Sequence, residues 1–275
     1  MEDIGENVLY ITDNTSIPAS EAVQKDFLGG DERLEHLFEQ CRKLRQGSHF
    51  AELFFGPPKR ETLFSINDLL EKLIKDQERQ YKTSIATLAP ETMEIITRRL
   101  EILRDIAWCI KKEILENIEA IERLCPALRN VGLKNSENKN GLCIFKRINA
   151  VINSIDRLEV RGRDSAGISV MFTLAQHEFD NFKNALIKAG LSENLRRRTN
   201  HIVLNNNSLT IHESLSKTGE QLVSLSFVYK IAAEIGSLGD NMAFIRTQIK
   251  NDLILRLLCQ YKFEANSITA HTRWA

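Results

Sequence analysis

The sequence lacks a net charge, a long apolar run and any paired cysteines. Lys and Arg number 37 and Asp and Glu number 37, so the formal net charge is zero. No overall field then draws the chain to nucleic acid or to an anionic membrane, and neither is expected as a partner. No apolar stretch reaches the roughly 20 residues of a bilayer-spanning helix. The opening "MEDIGENVLYITD" is acidic where a secretory leader is basic and then apolar, so the expected location is cytoplasmic. The five cysteines (Cys41, Cys109, Cys125, Cys143, Cys259) are scattered and never form C-x-x-C, which excludes a disulfide framework or a zinc ribbon. His36, His49, His177 and His212 show no metal-binding spacing. No metal or other cofactor is expected.

What is present suffices for two cores: 43% of 275 residues are hydrophobic. From about Ala19 to Leu124 the pattern is helical. Ile96, Leu100, Leu103, Ala107, Ile110, Ile114, Ile118 and Ile121 alternate three- and four-residue steps, one stripe on a helix from Glu91 to Leu124 that would be roughly 50 Å long. Pro90 suits its first turn and Pro126 lies just beyond its end. Trp108 and Cys109 read as core residues. Partner helices are expected over Asp31 to Leu44 and from Ser65, a good N-cap, with "FFGPPKRE" as a breaker between them. The result is a helical hairpin or three-helix bundle spanning residues 1–130, a structural or docking module.

"NVGLKNSENKNG" dilutes the apolar content and marks the boundary; residues 131–275 are mixed α and β, so the fold class is α+β. "GISVMFTL" and "LVSLSFVYK" read as strands, and "HIVLNNNSLTIHES" as a hairpin turning on Asn205 to Asn207. "QHEFDNFKNALIKAG" and "DNMAFIRTQIKNDLILRLLCQY" read as helices, the second N-capped by Asp240. "LRRRTNH", Leu195 to His201, reads as a solvated edge, with phosphate binding as the alternative.

Two blocks carry a resemblance. "RLEVRGRDSAGISV" supplies Arg157 to Gly167, and "AHTRWA" supplies Ala270 to Ala275. Together, in this order, they resemble the glutaminase domain of class II glutamine amidotransferases, most closely those that aminate sugar phosphates. The resemblance implies an N-terminal-nucleophile (Ntn) hydrolase-like αββα fold, here incomplete and interrupted by an insertion over about residues 172–262. It implies glutamine as donor and fructose 6-phosphate as acceptor, with the chain an N-terminal piece of a longer aminotransferase. Homo-oligomers would form through the helical region or through sugar-phosphate isomerase domains.

On that resemblance Arg273 grips the α-carboxylate of glutamine, a role suited to the planar guanidinium fork. Thr272 belongs to the same motif, and Trp274 matches the indole that gates ammonia passage. Arg161 and Asp164, with Gly162 between them, match the block beside the nucleophile and are also suited to a structural ion pair. Arg163 departs from the family, which has an uncharged residue there.

The nucleophile does not match. The family uses an N-terminal cysteine whose own amine serves as base, and Cys143, the nearest upstream cysteine, is followed by Ile144 where the family has glycine. Its apolar neighbours read as a buried structural thiol. The chain itself is therefore expected to be inactive; the alternative is a catalytically dead glutaminase-like binding or scaffolding module.

Overall fold

The apolar stripe from Ile96 to Ile121 forms the predicted helix, with a defect in its middle. The computed structural model describes residues 2–15, 27–130, 136–158, 165–200, 206–232 and 239–273. Pro90–Trp108 (α5) continues through a π-helical turn, Cys109–Leu115, into Glu116–Leu124 (α6). The stripe takes two consecutive four-residue steps at Ile110, Ile114 and Ile118, and the wider π turn absorbs them while keeping all three buried. Trp108 falls off the stripe and is 50% exposed, so it is not a core residue, whereas Cys109 is.

The chain divides into two units, Met1–Glu119 and Ala120–Ala275, the division falling inside α6. The first contains Glu2–Asp13 (α1), Gly30–Leu44 (α2), Gly47–Phe55 (α3), Pro57–Ser84 (α4) and α5. Helix α4 starts eight residues before Ser65, because Pro57 and Pro58 occupy its first turn, where no hydrogen-bonding N–H is required. Ser65 instead donates to the Glu61 carbonyl from mid-helix, at 3.1 Å. Only Gly56 interrupts the chain; a Cβ there would stand 2.5 Å from the Glu52 carbonyl oxygen. The core gathers Leu34, Leu37, Leu63, Leu70, Leu103 and Ile106. Buried Arg99 on α5 donates to the Phe27 carbonyl at 2.5 Å and to Asp31 at 3.1 Å, tying α5 to the start of α2.

Two thiols in this core titrate abnormally. Burial pushes Cys41 and Cys109 up to about 12, with the Cys109 charge adding at Cys41 and Glu113 adding at Cys109. An unfolded thiol ionises near about 8.5. Between those values the native state holds protons that the unfolded chain releases. The stability present below about pH 8.5 is therefore lost as pH rises toward the folded value, at about 1.4 kcal/mol per pH unit for Cys41. Urea melts at stepped alkaline pH should show a steeply falling stability that Cys41→Ala makes shallower; an unchanged slope would show that Cys41 ionises normally.

The second unit builds one sheet with helices against it. Ser136–Leu158 (α7) precedes Ser165–Ala175 (β1), Gln176–Lys188 (α8), Ser192–Thr199 (α9), Leu209–Leu215 (β2), Gln221–Ala232 (β3), Asp240–Asn251 (α10), Leu253–Leu258 (α11) and Ala265–Arg273 (β4). The sheet is antiparallel in the order β2-β3-β1-β4. Both predicted strands are present, and the class is α+β. The first arm of the predicted hairpin, His201 to Asn205, lies outside the described residues; the hairpin in the structure joins β2 to β3 through Ser216–Glu220, closed by Ser216 N–H to the Glu220 carbonyl at 2.8 Å. The single helix predicted from Asp240 breaks at Asp252, whose carboxylate caps α11. Gly239, at φ 95°, takes the N-cap position assigned to Asp240.

Period-2 alternation in β1 and β3 turns Ala166, Ile168, Val170, Phe172 and Leu174 of β1 to the same side as Val223, Leu225, Phe227 and Tyr229 of β3, all buried. Helices α7, α8 and α10 contact these strands or β4. The opposite face is half-exposed and rich in small hydroxyl side chains; Ser169 bonds Ser226 at 3.0 Å and Thr173 bonds Ser224 at 3.1 Å.

Candidate functional site

The sheet brings the two quoted blocks together although about a hundred residues separate them. Strands β1 and β4 pair so that Ser165 faces Arg273, Ala166 faces Thr272 and Gly167 faces His271. Directly paired residues share a face, so Arg273 and His271 stand with Ser165 and Gly167 on the half-exposed side, while Thr272 stands with Ala166 on the helix-covered side. Two residues assigned to one substrate are thus on opposite faces. A Cβ at Gly167 would approach the His271 ring to 2.7 Å, so the imidazole lies over the glycine backbone and a side chain there would have to push it aside. Across β1, Lys230 and Ala232 of β3 flank Gly167 and Ser165. Lys230, His271 and Arg273 therefore form a basic group at one end of this face. Arg161, Asp164 and Trp274, with Gly162 and Arg163, lie outside the described residues.

Cys143 is exposed, not buried as its apolar neighbours suggested. Helix α7 turns Leu142, Ile144, Phe145 and Ile148 inward and leaves Cys143 outside that stripe. Its nitrogen is a peptide nitrogen in the interior of a helix, so it has no free α-amine to act as base.

A second site was read from sequence only as a charged edge. Arg196 and Arg197 of α9 are exposed, but Arg198 is buried. Its guanidinium lies 2.8 Å from Asp252, their side chains 11% and 3% exposed. Tyr229 donates to the same carboxylate oxygen at 2.7 Å, and the Leu255 N–H donates to the other at 2.9 Å. Arg198 also donates through Nε to the Asn207 carbonyl at 3.0 Å and sits over the Phe227 ring. Burial pushes the Tyr229 phenol well up, and the Asp252 charge adds to this. The sequence signal was the helical spacing of Leu191, Leu195 and Arg198, which puts Arg198 on the inner side of α9; nothing local identified Asp252, 54 positions away, as its partner.

This network floors a cleft of about 490 Å³ between α9, the turn before β2 and the α10–α11 junction. Arg197, Asn206, Gln248, Asn251 and Leu253 are among the residues that line it. Among the described residues no group of three His, Cys, Asp or Glu could hold a metal ion, and no helix is long and apolar enough to cross a membrane. Compared with protein-family models, curated proteins and solved structures, the chain matches none.

Proposed function

We propose that the Ala120–Ala275 unit is a glutaminase-type module of a glutamine-dependent sugar-phosphate aminotransferase, which binds glutamine without hydrolysing it. The observation that carries the reading is the register of β1 on β4, which seats "SAG" of the first block directly against "HTR" of the second. In the proposed site the Arg273 guanidinium takes the amino acid's carboxylate by two parallel hydrogen bonds, and His271 and Lys230 contribute positive or hydrogen-bonding neighbours. The half-exposed face is where the second sheet of an Ntn-hydrolase-like αββα fold would stack. Hydrolysis is not expected, because Cys143 offers a thiol but no free amine.

A second reading, a non-enzymatic binding or scaffolding descendant, is favoured by the same position of Cys143 inside α7. Labelling with an electrophilic glutamine analogue tests what they share: an adduct on Cys143 at a newly exposed N-terminus would overturn both in favour of an active glutaminase, whereas an unlabelled intact chain is expected of either, and binding of glutamine then separates them.

Calorimetric titration with glutamine tests the binding itself. The chain should bind and release no ammonia. Arg273→Ala should weaken affinity at least about tenfold, the cost of one charge-assisted contact, and Arg273→Lys should recover only part of it because an ammonium cannot make the paired contact. Equal affinity in all three proteins would remove Arg273 from the site.

A further inference from the structure

The sheet leaves one long edge without the usual protection. Strand β4 is paired on one side only, with β1. A free edge presents a row of unpaired N–H and C=O groups, and folded proteins blunt it with Pro, with charged side chains or by keeping the strand short. The opposite edge, β2, is seven residues long and carries Glu213. Strand β4 is nine residues long, and residues 265–272 hold no Lys, Arg, Asp, Glu or Pro.

The register fixes which backbone groups lie on that edge. The Val228 N–H donates to the Ser208 carbonyl at 3.0 Å, so even-numbered positions of β3 point at β2 and odd-numbered ones at β1. Carried across the continuous β3–β1 and β1–β4 registers, this turns the odd-numbered positions of β4 toward β1. The carbonyl of Thr173, an odd-numbered position of β1, accepts from the Glu264 N–H at 2.8 Å, in keeping with that phase. Asn266, Ile268, Ala270 and Thr272 therefore direct their N–H and C=O groups out of the sheet, and among the described residues no strand pairs with them. Helix α7 sits against the covered face of β4, where Arg147 donates to Asn266 Oδ1 at 2.7 Å.

The strand is complementary to itself. Laid antiparallel on a second copy with Thr269 opposite Thr269, Ile268 meets Ala270 and Asn266 meets Thr272, so all the outward positions exchange hydrogen bonds in both directions. Centring on Ile268 would set Thr272 against Glu264, and centring on Ala270 would set Asn266 against Trp274, neither of which belongs to β4. On the exposed face Ser267 meets His271 and Ala265 meets Arg273, so no basic residue faces another. The formal net charge of zero adds no repulsion between copies.

We propose that two copies of the chain join edge to edge through β4, antiparallel and centred on Thr269, into one continuous sheet. The proposal does not depend on the glutamine reading, because it uses the backbone edge of β4 and not the face that carries Arg273. Each copy spends its free β4 edge on the other, so assembly stops at two. An interface made mainly of backbone hydrogen bonds falls at the small end of specific contacts, and a dissociation constant of about 1–100 µM is expected.

Sedimentation velocity of the full chain across that range tests it, with monomer giving way to dimer as concentration rises. Ala270→Pro removes an outward N–H and none that β1 uses, and should raise the dissociation constant at least about tenfold. Thr269→Lys sets two ammonium groups against each other on the exposed face and should do the same. Amide protection of β1 should stay as it was in both. Thr269→Cys in a Cys143→Ser background, the other four cysteines being buried, should oxidise to a disulfide-linked dimer, because directly opposed positions bring their Cβ atoms to about 5 Å. A monomer at every concentration would overturn the proposal. So would assemblies larger than two, or a dimer that neither Ala270→Pro nor Thr269→Lys weakens and that the Thr269→Cys variant does not cross-link.

Discussion

Asp252→Ala is expected to destabilise the Ala120–Ala275 unit by about 3–5 kcal/mol, the cost of breaking a buried ion pair from one side. The loss has three parts that share one carboxylate. Arg198 would retain its charge in a site where its side chain is 11% exposed. The Tyr229 hydroxyl would lose its acceptor at the buried end of β3. The first turn of α11 would lose its cap, by itself worth about 0.5–2 kcal/mol. These costs overlap and do not simply add. The double variant Arg198→Met/Asp252→Leu decides whether the ion pair itself is at work. Replacing both partners with apolar groups of similar size removes the stranded charge, so this variant should recover much of what Asp252→Ala loses. Amide hydrogen exchange read on β3 and α11 gives the comparison; a double variant as unstable as the single one would assign the loss to the helix cap and the Tyr229 hydroxyl.

Phe172→Ala should cost a similar amount, about 3–5 kcal/mol. Phe172 is fully buried on β1, one of the two inner strands of the sheet. Its ring meets Phe227 edge-on at 6.0 Å and Phe263 at 5.6 Å, so truncation opens a cavity at the centre of an aromatic cluster. Because the chain has two units, one global melt would mix two transitions. Amide hydrogen exchange resolved by strand is the better readout. Protection of β1 and β3 should fall sharply while that of α2 and α5 stays as it was, and Phe172→Leu should lose less. Equal loss of protection in both units would show that they unfold together.

The pattern of legible and illegible features follows from how far apart the interacting residues are. The long helix was readable because its stripe is a local repeat, and the two strands because β-branched and aromatic residues alternate over eight or more positions. Local chemistry also misled where it was ambiguous. Ser65 is a good cap, but the prolines before it are equally good first-turn residues and the helix begins with them. Trp108 is apolar, yet one position off the stripe puts it in water. Cys143 is flanked by buried residues and is itself turned outward for the same geometric reason. Strand pairing is the least local feature. The register of Ser165 on Arg273 had to come from the fold, although the two blocks themselves were visible. The α9 site was hidden more deeply, because an Arg-rich helix ordinarily faces solvent. Only the return of the chain at Asp252 converts Arg198 into part of a core.

The account rests on the claim that the start of β1 and the end of β4 form one site. The most direct measurement is an amide correlation spectrum of the labelled chain titrated with glutamine. If the claim holds, the amides of Ser165, Ala166 and Gly167 shift together with those of His271, Thr272 and Arg273, along one saturation curve. Shifts confined to other parts of the chain, or no shift at saturating glutamine, would contradict it.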